Sequence, residues 1–224
     1  EFTTQDTIFG NETELNITEF KKWAEERDIS LVGITKDAGE VYDQGLNSND
    51  IVNLEEVPYW WWAESGLRKI PDKILQIMKD KTIYFSVKKG RGYALASDWL
   101  EGTTAGFILE QTITDGQAVH ELGHIVDFTG TQGIYDDPLN IFSDIRAEKD
   151  RVFTGVENYN PDAEEVPEGF INLYSSANNQ EDFAVHFAHY VLNAEEFRKK
   201  AETDEVLKKK YEFLKNKIFD GKEY

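Results

Sequence analysis

The spacing of hydrophobic residues changes near the middle of this chain, and the change divides it into two parts. In the first part, short apolar runs predict strands at 31–34, 82–87, 93–97 and 105–110. Two helices are predicted beside them, one at 17–27 capped by Asn16 and one near 71–79 with Pro71 in its first turn. From Thr114 almost to the end, the spacing is helical. The pattern predicts an α+β fold in which a small mixed or antiparallel sheet is followed by a mainly helical half.

We place the boundary at residue 112, so that an α/β lobe (1–112) and a helical lobe (113–224) form one compact domain. In the first lobe, Tyr59–Trp62 places four aromatic side chains in a row, and these cannot all face the core. Either they pack between elements or they form an aromatic surface for a partner.

The helical lobe contains two segments whose apolar residues share a face. Asn178 can cap the first, predicted at 178–193, and its apolar face consists of Phe183, Ala184, Phe187, Ala188 and Val191. In the run 195–219, apolar residues stand among lysines and glutamates. This run predicts one or two closing helices packed on the same lobe, with a partner-binding helix as the alternative.

Composition narrows the classes of protein that fit this pattern. The 224 residues include 43 acidic and 24 basic side chains, and the formal net charge of −19 repels nucleic acid and anionic membranes. The charge either serves solubility alone or steers a basic partner to the protein. No apolar run approaches the ~20 residues needed to span a bilayer. Cysteine is absent, which excludes disulfides and thiolate ligands and favours an exported bacterial protein, whose signal lay upstream of Glu1 or has been removed.

One helical segment has the spacing of a metal site. Residues 118–128 include His120, Glu121 and His124, and their neighbours are apolar, as in a buried helix. At about 100° per residue, the two imidazoles point within roughly 40° of each other, one turn apart, so both can bind one zinc ion. Glu121 lies beside the open side of that site, where it can take a proton from a bound water. Gly123 is small where the helix must pack closely.

A catalytic zinc site needs a third protein ligand and an open position. Gly130 stands where the extended pattern requires a third histidine, so the ligand must come from another segment. The helix at 178–193 offers Glu181, on the side of its apolar face, and Asp182, a competing ligand about 100° around the helix. The alternative for Glu181 is a capping box with the cap residue of that helix. His189 lies two turns farther along, and we expect it to have a packing or peripheral role.

Two blocks of these residues resemble the anthrax lethal-factor-like zinc peptidases and the related Pro-Pro endopeptidases. The first block runs from His120 to Asp127, and the family also has an aspartate three residues after the second histidine. The second comprises 181–184 and 190–193. The resemblance covers roughly residues 80–195. It implies a zincin-like fold of the gluzincin group, in which a glutamate, here Glu181, is the third zinc ligand and both ligand helices lie in the helical half.

The resemblance also implies roles for residues outside the two blocks. The family places an oxyanion-stabilising tyrosine seven residues before the ligand glutamate, and Tyr174 occupies that position. A substrate-guiding strand and loop match Gly92 to Phe107, including Trp99 and Glu101; Trp99 is either a lid residue or part of the core. Within the first block, Asp127 lies on the His124 side of the helix, where it either orients a ligand histidine or is a charge at the helix end.

These features predict a zinc-dependent endopeptidase with one catalytic ion bound by His120, His124 and Glu181. Glu121 would act first as base and then as acid, and Tyr174 would stabilise the oxyanion. We expect a secreted, toxin-like bacterial monomer without a membrane span, whose partner is a protein or peptide substrate with basic residues near the cleaved bond, and which binds no nucleic acid. The alternatives are an inactive lethal-factor-like binding domain and a zinc amidohydrolase acting on a non-peptide amide.

Overall fold

The computed structural model describes residues 16–57, 59–89, 93–94, 105–110, 115–129 and 165–224. Within these ranges, five strands form one sheet in the order β2-β1-β3-β5-β4. The strands are β1 (Ser30–Ile34), β2 (Ile51–Val52), β3 (Thr82–Ser86), β4 (Tyr93–Ala94) and β5 (Ala105–Leu109). The three central strands are parallel, and β2 and β4 pair antiparallel at the two edges. The sheet is therefore mixed, one of the two predicted forms.

The described residues contain eight α-helices. They are α1 (Ile17–Glu25), α2 (Ala38–Gln44), α3 (Trp60–Leu67), α4 (Asp72–Leu75), α5 (Asp115–Thr129), α6 (Asn179–Leu192), α7 (Ala194–Ala201) and α8 (Glu205–Phe213). The helix predicted near 71–79 is divided into α4 and a 3₁₀ turn, Gln76–Met78. Sequence reasoning missed α2, although it begins with a capping box in which Asp37 and Glu40 each accept a hydrogen bond from the other's backbone N–H.

The aromatic run Tyr59–Trp62 lies at the start of α3 and packs between elements. Trp60 is buried, and its ring stacks on Phe20 of α1 with centroids 5.9 Å apart. Trp61 and Trp62 are half-buried against the same hydrophobic core. This arrangement agrees with the core-packing interpretation of the run.

One hydrophobic core joins the elements on both sides of the predicted boundary at residue 112. It includes Phe20 and Phe85 from the first part and Leu122, Phe187 and Leu214 from the second. In this core α5 packs on α6 and on α3. The two-lobe division stays a prediction, because residues 111–114 lie outside the described ranges.

The run 195–219 forms α7, α8 and a π-helical turn, Leu214–Ile218, as the amphipathic pattern predicts. The apolar positions that defined the pattern are all buried: Phe197, Ala201, Val206, Tyr211, Leu214 and Ile218. Among the described residues, no helix combines the length and the apolar composition that crossing a bilayer requires.

Candidate metal centre

The helix α5 presents His120 and His124 on one side. Its apolar residues Val119, Leu122 and Val126 are fully buried, which fixes the rotation of the helix against its neighbours. The two Nε2 atoms lie 3.1 Å apart, and the imidazole rings are nearly perpendicular, with centroids 4.7 Å apart. Two nitrogen ligands therefore point at one position.

The helix α6 supplies the third group. Asn178 is its N-cap, and the Asn178 side chain accepts a 2.9 Å hydrogen bond from the Glu181 backbone N–H. The Glu181 carboxylate is directed to α5: Oε2 lies 3.1 Å from Nε2 of His120 and 3.5 Å from Nε2 of His124. The predicted alternative, in which this carboxylate closes a capping box, is therefore wrong.

The three ligand atoms have the separations that a tetrahedral zinc site requires. Zinc binds histidine nitrogen and carboxylate oxygen at about 2.0–2.2 Å, so neighbouring ligand atoms lie about 3.3 Å apart. The separations of 3.1, 3.1 and 3.5 Å agree with this value. Among the described residues, His120, His124 and Glu181 are the one group of three such side chains close enough to share a metal ion. Two imidazoles and one carboxylate are a donor set that suits zinc.

The electrostatics of the site favour the ligating form of Glu181. Burial raises the pKa of this carboxyl, but hydrogen bonds and charge from His120 and His124 lower it by more, so that the pKa lies well below its usual value. The group is ionised near neutral pH, as a metal ligand must be. The three side chains are 10–16% exposed, so the centre is largely buried and not fully closed to solvent.

Of the other predicted site residues, Tyr174 lies beside His120, and Glu121 and Asp127 are buried on α5. Glu121 follows His120 on α5 and is only 4% exposed. Tyr174 begins a 3₁₀ turn, Tyr174–Ser176, and its ring centroid lies 6.0 Å from that of His120. Asp127 is buried on α5. Its role in orienting a ligand histidine stays a prediction.

The competing residues on α6 point elsewhere. Asp182 is not a ligand, because its carboxylate is buried against Lys210, with Oδ1 and Oδ2 2.6 and 2.7 Å from Nζ. His189 Nδ1 lies 3.1 Å from the Val185 carbonyl oxygen, and burial lowers the pKa of this imidazole. That contact within α6 is consistent with the peripheral role we expect for His189.

Several predictions fall outside the described residues. They concern the turn at 90–92, the substrate-guiding residues Trp99 and Glu101, the Thr114 cap and Gly130. Of the strand predicted at 93–97, the described part is β4 (Tyr93–Ala94), an edge strand beside β5.

Gly123 sets the distance between the two ligand helices. A Cβ at this position would lie 3.0 Å from Cα and 3.3 Å from the carbonyl oxygen of Ala184. Both are backbone atoms of α6, so only a shift of one helix would relieve the contact. His120 and His124 can lie this close to Glu181 because residue 123 has no side chain.

Gly123→Ala is expected to destabilise the fold by about 1–3 kcal/mol and to weaken zinc binding by about tenfold or more. The added methyl group separates α5 from α6, and Glu181 moves with α6. Denaturant unfolding and chelator-competition titration measure the two effects. Gly39→Ala is the matched control, because a Cβ at Gly39 of α2 meets no atom closer than 3.4 Å. If both alanine variants matched the native protein in stability and zinc affinity, the packing argument would be wrong.

Comparisons with known proteins add little to this geometry. No protein-family model and no curated protein matches the chain. A solved structure from Bacteroides caccae, described as a "putative zinc-binding metallo-peptidase", is 15% identical to the chain, with a TM-score of 0.41 over 92% of this chain and 88% of the other. An overlap at this level establishes neither a common fold nor a common activity. Membership of the lethal-factor-like family stays a prediction.

Proposed function

We propose that this protein is a zinc-dependent endopeptidase of the gluzincin type, with His120, His124 and Glu181 as metal ligands. The observation that supports this most directly is the triangle of ligand atoms, whose sides of 3.1, 3.1 and 3.5 Å match tetrahedral zinc coordination. A carboxylate, Glu121, directly follows the first ligand on the same helix, as general-base catalysis at such a site requires.

Each residue contributes a separate chemical step to peptide hydrolysis. When bound, zinc supplies Lewis-acid chemistry, polarising a carbonyl oxygen and lowering the pKa of a water toward about 7. Glu121 accepts the proton of the attacking water and then donates it to the leaving nitrogen. The Tyr174 phenol donates a hydrogen bond to the carbonyl oxygen as negative charge develops on it. The aromatic contact between Tyr174 and His120 supports this role, since it places the phenol ring beside a ligand.

Zinc analysis and peptide-library digestion with mass-spectrometric readout test the proposal. We expect one zinc ion per chain and cleavage within extended peptides, which a chelator abolishes and added zinc restores. Protein that binds zinc but cleaves nothing would indicate the inactive binding domain. Turnover of small amides without peptide cleavage would indicate the amidohydrolase. Protein that binds no zinc would contradict the proposal altogether.

Tyr174→Phe is expected to lower kcat by about 10²–10³-fold with zinc content unchanged, because one oxyanion donor is lost while the ring and its contact with His120 remain. Steady-state kinetics on a cleaved library peptide, together with metal analysis, measures this. Tyr42→Phe, at an exposed tyrosine on α2, serves as the control. A Tyr174→Phe enzyme with native kcat would show that the phenol does not take part.

The net charge of −19 gives a proposal about the substrate, namely basic residues near the cleaved bond. If charge steers such a peptide to the site, kcat/KM falls as ionic strength rises, since salt screens the attraction. Rates for one basic and one neutral peptide of equal length, measured from low to high salt, test this. A kcat/KM for the basic peptide that does not change with salt would contradict it.

A further inference from the structure

Lys210 of α8 is a fully buried lysine whose side chain contacts Asp182, the residue that follows Glu181. Its side chain is 0% exposed, whereas lysine is almost never buried unless it is paired. Its Nζ donates to both carboxylate oxygens of Asp182 and, at 2.8 Å, to the carbonyl oxygen of Gly169. An ammonium group has three donors, and here three oxygens accept them. The charge is therefore fully satisfied within the protein.

These contacts join the two chain segments that hold functional side chains. Asp182 directly follows Glu181 in the first turn of α6, and its backbone oxygen and Oδ1 also lie 2.6 and 2.9 Å from Nδ1 of His186. Gly169 precedes the turn that begins at Tyr174. We call the contacts of Lys210 with Asp182 and Gly169 the Lys210 bridge. One side chain thus connects the carboxylate of the residue after Glu181 with the backbone that leads to Tyr174.

Two more polar side chains of the closing helices bind the same segment before Tyr174. The carboxylate of Asp204, the N-cap of α8, accepts a hydrogen bond from the Gly169 N–H. Lys200 of α7 donates to the carbonyl oxygen of Ile171 at 2.8 Å. The segment is therefore fixed at several backbone atoms, and the Lys210 bridge connects Gly169 of this segment with the first turn of α6.

Stability alone does not explain a buried ion pair at this place. Removing two charges from water costs free energy, and apolar side chains of similar volume are often as stabilising or more so. What an ion pair with directed hydrogen bonds adds is a fixed relative position of the groups it joins.

We infer that Lys210 is a positioning residue of the metal centre, because the Lys210 bridge fixes the first turn of α6, which holds Glu181, against α8 and against the segment that precedes Tyr174. The inference rests on the proposed function. Loss of the bridge leaves all proposed ligands present but releases the first turn of α6, next to Glu181, from α8 and from the backbone at Gly169. Zinc affinity and kcat then fall, while KM changes little.

The test compares paired variants that remove the bridge without leaving a buried charge. The first double variant combines Asp182→Asn with Lys210→Met, and the second combines Asp182→Leu with Lys210→Leu. One double variant that folds is sufficient for the test. Lys208→Met, at an exposed lysine on the same helix, is the control. Circular dichroism and denaturant unfolding establish the stability of each variant. Zinc affinity is then measured by chelator competition at a temperature where the variant is fully folded.

We expect a folded pair to bind zinc about 10- to 100-fold more weakly than the native protein, with an altered visible spectrum after cobalt substitution and a lower kcat at similar KM. A folded pair with native zinc affinity and a native cobalt spectrum would overturn the inference and leave Lys210 a structural role only. The zinc measurement does not depend on peptidase activity. Native protein that binds zinc but cleaves no peptide would therefore contradict the proposed function, and the zinc affinities would still decide the role of Lys210.

Discussion

Glu121→Gln is expected to reduce kcat/KM for peptide cleavage by about 10²–10⁴-fold, the usual contribution of a general base. Glutamine has nearly the same shape as glutamate, so it can fill the buried position of Glu121 on α5 without opening a cavity. It cannot accept the proton of the attacking water. The ligand triangle of His120, His124 and Glu181 is unchanged by the substitution, so zinc content is expected to equal that of the native enzyme.

The measurement is single-peptide kinetics with metal analysis of the same samples. Glu202→Gln, at an exposed glutamate that ends α7, is the control for loss of one negative charge. Equal cleavage by the Glu121→Gln and native proteins would rule out Glu121 as the base. It would also remove the main argument for a peptidase over a zinc-binding domain.

Glu181→Gln is expected to weaken zinc binding by more than about 100-fold, beyond the loss caused by changing a group that only orients a ligand. An ionised carboxylate provides both an oxygen ligand and a negative charge, and the neutral amide loses the charge. Burial raises the pKa of Glu181, but His120 and His124 beside it lower that pKa by more, in agreement with an ionised carboxylate at this position. Activity is expected to be absent at zinc concentrations that saturate the native enzyme.

Dialysis followed by metal analysis, and chelator competition, measure this loss. Glu121→Gln is the matched comparison, because it replaces a glutamate of the same centre and is expected to keep its zinc. Comparing Glu121→Gln with Glu181→Gln thus distinguishes loss of catalysis from loss of zinc binding. If Glu181→Gln retained one tightly bound zinc ion per chain, Glu181 would not be a ligand.

The parts of the centre that could be predicted are those determined by periodicity within one helix. The spacing of His120 and His124 fixes their relative direction, and Asn178 fixes where α6 begins. Periodicity alone left Glu181 and Asp182 as competing ligands. The contact that excludes Asp182 comes from Lys210, on another helix later in the chain. Periodicity places Lys210 on the apolar face of α8, away from exposed Lys208 and Lys209, but it does not identify the partner of the buried charge.

Prediction of the fold is limited in the same way, because contacts between distant segments determine parts of it. Apolar runs of four to six residues predicted β1, β3 and β5, but β2 is two residues long and exists through its pairing with β1, a tertiary contact. The aromatic run at the start of α3 could not be assigned to the core from sequence alone. Only the packing of Trp60 on Phe20 determines which ring is buried.

The close approach of α5 and α6 at Gly123 and Ala184 has a consequence for how activity arises during synthesis. If the protein binds zinc as proposed, helix α5 contains only two of the three ligands and the third comes from a helix far along the chain, so a nascent or partly folded chain has an incomplete donor set. Complete zinc coordination requires that the long-range contact between the two helices has formed. Hydrolytic activity would therefore appear only after tertiary folding, and the unfolded precursor would be latent without any inhibitory segment.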